Sequence, residues 1–150
     1  MNLAAELGAG LTGLELLRKM VALGGRPPIG ETLDFSLVEV EEGHAVFEAV
    51  PGLQAYNPIG VVHGGFAATL LDSACGCAVH SRLGATQSYT TLELKVAYHK
   101  AMTVDTGLVR AVGSVLSIGR RVAFAEAKLT DAAGRLYASA TSTLLVMERS

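Results

Sequence analysis

Positive charge is what this chain conspicuously does without. Twelve Lys and Arg against 14 Asp and Glu leave a net charge of -2. No stretch gathers the basic residues that a phosphate backbone or an anionic membrane surface calls for. Nucleic acid and membrane are set aside as partners. Cysteine is nearly absent too, with only Cys75 and Cys77. Two apart on an expected helix, they point to different sides and cannot bridge one another, so buried reduced thiols are expected. The opening residues MNLAAELGAGLTG hold Glu6 and no early Lys or Arg, so they lack a signal peptide's basic region and a transit peptide's Arg-rich character. A cytoplasmic protein is expected.

Aromatic residues are few, at 5%, whereas glycine alone occurs 17 times and half the residues are hydrophobic, with a mean hydropathy of +0.39. Small side chains let elements approach closely, and the surplus apolar surface points to an oligomer interface. The 150 residues suit one domain, 1–150, able to bury about two thirds of its unfolded surface.

Charge is also missing from the middle of the chain. Between Glu48 and Arg82 the one formally charged side chain is Asp72, within the apolar run Phe66 to Val79. The run after Ile59 approaches the roughly 20 residues a bilayer needs. Asp72 near its centre, His63, Gly64, Gly65 and Gly76, and the absence of flanking basic clusters argue against a span.

In order, Leu3, Leu7, Leu11, Leu14, Leu17 and Val21 lay one stripe along an amphipathic helix over 3–23. Gly24-Gly25 releases it, and Pro27-Pro28 bars its continuation. Thr32 to Val40 alternates as a half-buried strand, with Leu33, Phe35 and Leu37 opposite Asp34 and Ser36. Glu41-Glu42-Gly43 turns into a returning strand, His44 to Val50. A loop carrying Gln54, Tyr56, Asn57 and Pro58 leads to a helix over about 64–83, apolar nearly all round and so surrounded by protein.

Strands follow: Ser88 to Tyr98, with Leu92, Leu94, Val96 and Tyr98 on one side, then roughly Thr103 to Leu116 and Arg121 to Thr130. Asp131-Ala132-Ala133-Gly134 is a hairpin turn, and Leu136 to Met147 is the last strand. Ala123, Ala125, Ala127 and Leu129 share a face, as do Ala138, Ala140 and Ser142. The expected class is α+β, an antiparallel sheet wrapped around one helix, with an accessory N-terminal helix. The chain stops just past the last strand, leaving no tail to interpret.

The chemistry gathers on the central helix. His63-Gly64-Gly65 puts bare backbone at a helix N-terminus, where unpaired N–H groups attract negative charge and can serve as an oxyanion hole. Tight helix packing explains a glycine pair equally well. Asp72 is a candidate general base or nucleophile, since a carboxylate among apolar residues is costly unless paired or used. The alternative is a satisfied buried polar group bonded to Thr69 or to a strand hydroxyl. Nine residues of helix separate His63 from Asp72 by about 13.5 Å and about 900° of rotation, on opposite sides. If both are catalytic, a two-fold dimer pairing one subunit's helix start with its mate's Asp72 is the simplest arrangement. His44, in an acidic turn, and His80, near a helix C-terminus that favours its charged form, are expected to be structural or surface residues.

Asn57-x-x-Gly60-x-x-His63-Gly64-Gly65, then Leu70-Leu71-Asp72, Thr91 to Val96, Gly119-Arg120 and Asp131-x-x-Gly134 resemble the hotdog-fold acyl-CoA thioesterases of the phenylacetate-degradation (PaaI-like) group. The resemblance covers roughly residues 30–147. It implies a hotdog fold, a homo-oligomer that is a dimer or a dimer of dimers, and active sites between subunits.

By the same resemblance, Asn57 positions water or the thioester, and the Gly64 amide polarises the thioester oxygen. His63 assists beside it. The partner's carboxylate at position 72 attacks the carbonyl or activates water. Thr91, or its neighbour Thr90, occupies the hydroxyl position near the nucleophile. Gly65, Tyr56 and Phe66 fall among the substrate-binding positions, and Arg120 or Arg121 meets CoA phosphates. No metal or redox cofactor is implied, coenzyme A entering as part of the acyl-CoA substrate. One departure stands out: the family's Arg-Pro pair after the third strand's aromatic residue is replaced by His99-Lys100-Ala101 after Tyr98. Two other readings stay open, a hydratase of enoyl thioesters and a non-catalytic acyl-CoA sensor on the same fold.

Overall fold

In the computed structural model, which describes residues 3–149 and side chains from residue 5 onward, the expected helix over 3–23 is two helices. They are α1 (Leu3–Leu7) and α2 (Gly13–Ala22). Gly8 and Gly10, at φ +149° and +88°, take the chain out of helical conformation. Thr12 then starts α2 with a reciprocal capping box: its hydroxyl accepts from the Glu15 amide, and the Glu15 carboxylate accepts from the Thr12 amide at 2.8 Å. Leu16, Leu17 and Met20 are the buried face of α2. Leu3, counted in the apolar stripe, lies outside the described side chains, as residues 1, 2 and 150 of the expected domain lie outside the described residues.

Gly24 and Gly25, both at positive φ, end α2 as expected. Pro27-Pro28 does not begin an extended segment. Pro28 opens a short helix, α3 (Pro28–Leu33), at a position where a missing N–H costs nothing. Asp34, left-handed at φ 58° and paired with Arg26, closes it. The first strand therefore begins at Phe35 rather than Thr32, and Thr32 and Leu33 are helical. β1 (Phe35–Glu41) and β2 (His44–Ala49) form the expected hairpin, turning at Gly43 with φ +76°.

The remaining elements are α4 (Gly64–His80), β3 (Gln87–Tyr98), β4 (Val109–Ile118), β5 (Val122–Asp131) and β6 (Leu136–Glu148). All pairings are antiparallel in the order β1-β2-β4-β5-β6-β3, so β1 and β3 are the edges. The expected strand over 103–116 begins later, because Thr103 caps a 3-10 turn, Val104–Thr106, before β4. Register shifts at Leu37/Glu39, Thr91/Glu93, Val115/Ser117 and Leu129/Thr130 bend the sheet, as bulges do. The shift in β3 turns Leu92 outward, 57% exposed, so it does not share the face of Leu94 and Val96.

The sheet curls around α4. Ala123, Ala125, Ala127 and Leu129 of β5 and Ala138, Ala140 and Ser142 of β6 all face inward and are buried. At the closest approach, a Cβ on Gly113 of β4 would sit 2.3 Å from the Ala74 carbonyl oxygen, so helix backbone rests directly on strand backbone. α4 is not enclosed on every side: Thr69, Asp72, Ser73, Cys77 and His80 form a half-buried stripe at helical spacing. No helix among the described residues is long and apolar enough to cross a membrane.

Candidate active site

The loop before α4 is folded by its own side chains. Asn57 Oδ1 accepts from the amides of Ile59 (3.1 Å) and Val61 (3.3 Å), and Gly60 takes φ +88° in the turn they enclose. The loop thus uses the Asn57 oxygen and leaves the Nδ2 amide to donate elsewhere. The Tyr56 hydroxyl accepts from the Val104 amide at 2.9 Å, fastening this loop to the turn before β4.

His63 caps α4. Its Nδ1 accepts from the Gly65 amide at 2.8 Å, so in the neutral ring the proton sits on Nε2, which makes no hydrogen bond among the described residues. The Gly65 amide is thereby occupied, and among the described residues the Gly64 amide is left open at the helix start. The glycine pair also leaves little room for a side chain. A Cβ on Gly64 would meet the Tyr98 ring at 3.0 Å, and one on Gly65 would meet His63 Nδ1 at 2.9 Å. Tyr98 lies over this corner and donates from its hydroxyl to the Gly64 carbonyl at 2.8 Å. His63, Gly64 and Gly65 open onto a cavity of about 500 Å³ whose far side is Tyr98, Lys100, Met102 and Tyr137. Lys100 lies 5.9 Å from the centre of the Tyr137 ring.

Asp72 opens onto a different cavity, of about 360 Å³, between α4, β3 and α2. The Thr91 hydroxyl donates to Asp72 Oδ1 at 3.0 Å. Thr90, one residue back on β3, is exposed and on the opposite face, so register distinguishes the two threonines. Within one chain, then, Asp72 and Thr91 stand together, His63 and Gly64 stand together, and the two groups do not share a cavity. Phe66 is a core residue, 4% exposed, and lines neither space. Arg120 and Arg121, in the turn between β4 and β5, border a third concavity with Gln87 and Glu148.

The neighbours of Asp72 are held neutral. Burial first, and the Asp72 charge second, push the Cys75 and Cys77 thiols up to about 12, so both are inert free thiols. His80 differs from its expected charged state. Burial, with the Arg149 charge adding to it, brings its pKa down to about 4 and outweighs the helix C-terminus. α2 produces that burial, since Gly13 packs on His80 so closely that a Cβ there would fall 1.7 Å from the His80 carbonyl oxygen. Tyr98 over Gly64 and Tyr89 beside Asp72 carry no sequence signal of a site; only the path of β3 past α4 brings them there, whereas His80 shares a face of α4 with Asp72 by helical spacing.

An antiparallel sheet curled round a single helix, with a glycine-lined helix start and a carboxylate on the open stripe of that helix, is the design of a hotdog-fold thioester hydrolase. The sequence model of the Thioesterase superfamily matches residues 59–138, and the chain belongs to that family. It is 28% identical over 119 residues to a 1,4-dihydroxy-2-naphthoyl-CoA hydrolase of Listeria monocytogenes, covering 79% of this chain and 95% of that protein. Among solved structures it resembles a mutant of the phenylacetic acid degradation protein PaaI from Thermus thermophilus. The TM-score there is 0.72 at 25% identity, over 79% of this chain and 98% of the other. A protein of Streptococcus mutans bound to acetyl CoA also matches, with a TM-score of 0.69 and 25% identity over 77% of this chain and 91% of that one.

Proposed function

We propose that this protein is a cytoplasmic acyl-CoA thioesterase whose active site is completed between two copies of the chain. One observation carries the composite site: the helix start at His63 and Gly64 and the Asp72–Thr91 pair open onto separate cavities of one chain. Two-fold pairing that faces the first against the second builds two equivalent sites, in a dimer or a dimer of dimers. The name of the Listeria relative and the acetyl CoA in the Streptococcus structure support a CoA thioester as substrate.

In this reading the thioester oxygen lies against the Gly64 amide and His63 Nε2, which stabilise the negative charge that develops as the carbonyl is attacked. Gly65 contributes by holding the His63 ring. Asp72 of the other copy, oriented by the Thr91 hydroxyl, delivers its carboxylate to the carbonyl carbon directly or through a water, and Asn57 Nδ2 aligns that water. A C–O bond replaces the C–S bond, and the thiolate of coenzyme A leaves and takes up a proton given up by the attacking water; on the direct route the product is first a mixed anhydride with Asp72, which a water then splits to the free acid and the restored carboxylate. Arg120 or Arg121 meets the CoA phosphates. Tyr56 fixes the loop that carries Asn57. No redox cofactor enters, since hydrolysis moves no electrons out of the substrate.

Thiol release from a panel of aryl- and alkyl-CoA thioesters, comparing the native protein with Asp72→Asn, tests the reading. Turnover that falls by about 10²-fold or more in a variant of unchanged fold and oligomeric state supports it. Tight acyl-CoA binding without turnover across the panel replaces it with the sensor reading, and Asp72 then becomes a structural carboxylate.

A further inference from the structure

Two hydrogen bonds at the start of α4 share one peptide group. The Gly64 carbonyl accepts from the Tyr98 hydroxyl at 2.8 Å, and the Gly65 amide donates to His63 Nδ1 at 2.8 Å. That carbonyl and that amide are the two ends of the peptide joining Gly64 to Gly65, in which resonance ties the charge on the oxygen to the charge on the N–H. A donor at the oxygen deepens the polarisation and makes the N–H a stronger donor, by about 10–30% per bond in such chains. Phenol, peptide and imidazole therefore form one continuous chain from Tyr98 to the ring of His63.

Each glycine seats one link. A Cβ on Gly64 would stand 3.0 Å from the Tyr98 hydroxyl oxygen, and one on Gly65 would stand 2.9 Å from His63 Nδ1. The backbone fixes both ends. Tyr98 is the last residue of β3, paired with Ala138, and the next two amides, of His99 and Lys100, both donate to the Tyr137 carbonyl. At the other end, the His63 amide donates to the Ala55 carbonyl at 2.7 Å.

The chain runs in one direction. A bond donated to Nδ1 favours the neutral tautomer whose proton is on Nε2, and it draws electron density from the ring, leaving the Nε2–H more positive. His63 lines the same cavity as Gly64, and Nε2 is the ring nitrogen that makes no hydrogen bond among the described residues. A phenylalanine at position 98 would fill the same space over Gly64. The hydroxyl is the part of Tyr98 that packing does not require.

Resting on the acyl-CoA thioesterase reading, we infer that Tyr98 is a positioning residue for His63. Its hydroxyl acts through the Gly64–Gly65 peptide to hold the His63 tautomer and to strengthen Nε2–H as the donor to the thioester oxygen on which charge develops. No proton moves along the chain, which works by polarisation and orientation alone.

Tyr98→Phe removes the hydroxyl and keeps the ring. Thiol release from benzoyl-, phenylacetyl-, hexanoyl- and palmitoyl-CoA gives kcat and KM, and heteronuclear NMR of nitrogen-labelled protein reads the His63 ring, assigned by its absence from His63→Ala. On the best substrate kcat should fall about three- to tenfold with KM unchanged, as for an interaction that strengthens only in the transition state. The His63 Nδ1 resonance should move toward that of an unbonded acceptor nitrogen, and the Gly65 amide proton should shift upfield. Resonances that stay in place, a kcat equal in the two proteins, or an effect confined to KM overturns the inference and leaves the thioesterase reading standing. Native protein that releases no thiol from any of these thioesters, while the resonances move as expected, overturns the thioesterase reading and leaves the link between Tyr98 and His63.

Discussion

His63 caps the first turn of α4 and Asp72 lies in its third, yet the two open onto separate cavities on different sides of the helix. The separation is built into a continuous helix and cannot be closed by side-chain rotation, since about 13.5 Å of rise lies between them.

Subunit mixing should therefore restore activity. His63→Ala and Asp72→Asn proteins, each inactive alone, should recover up to about a quarter of native specific activity when equal amounts are unfolded together and reassembled, since random pairing makes half the dimers hybrid with one intact site each. Thiol release measured on the reassembled mixture checks this, with mass spectrometry confirming that hybrids formed. Hybrids without activity would place both residues' work within one chain.

Gly64→Ala should impair activity through Tyr98 rather than through lost donors. The added methyl meets that ring at 3.0 Å and displaces it from the Gly64 carbonyl, while the backbone amide remains. We expect kcat to fall about tenfold or more, with partial recovery in Gly64→Ala/Tyr98→Ala, because coupled residues in contact show non-additive effects. Equal losses in the single and double variants would separate Tyr98 from the site.

Thr91→Val removes the 3.0 Å donor to Asp72 without changing the side chain's shape. A hydrogen bond to a charged group is worth about 1.5–3 kcal/mol, so an unrestrained carboxylate should lower kcat by about tenfold or more. Thr91→Ser should regain most of it. The Thr90→Val counterpart should leave steady-state kinetics unchanged, as its side chain faces outward.

Stability should depend on His80 in acid. Its folded pKa, about 4, lies below the ordinary 6.5, so the unfolded chain binds the extra proton first as pH falls. The native state therefore keeps its full stability above about pH 6.5 and loses it progressively down to about pH 4, by on the order of 3 kcal/mol. Chemical denaturation of native and His80→Gln proteins at a series of pH values reads this directly. The variant should show a flatter profile across that window.

The central helix, the β1–β2 and β5–β6 hairpins and the small-residue faces of β5 and β6 were legible because each rests on local pattern: glycines at Gly64-Gly65, turn chemistry at Asp131-Gly134, alternation along Ala123 to Leu129. Features that depend on two distant segments meeting were not. Pro27-Pro28 reads as a helix stop, yet one of the two prolines starts α3, because Asp34 can turn left-handed and pair with Arg26. The bulge that expels Leu92 breaks an alternation that looks regular in the sequence. His80 is neutral because α2, more than 50 residues earlier, packs over it. In the proposed site, Asp72, His63, Gly64 and Asn57 stand out in the sequence by residue type and spacing. Thr91 could be told from Thr90 only by strand register, and Tyr89 only by the cavity it borders.

Gly113 acts as a zero-clearance bearing beneath α4. With the Ala74 carbonyl seated where a Cβ would be, sheet and helix are in backbone contact two residues beyond Asp72, and no side chain is there to compress or rotate. The carboxylate is thereby the fixed datum of the proposed site. Adjustment to a substrate of different size must come from the other components, the His63 loop and the Tyr98 ring on one side and the side chains of α2 on the other.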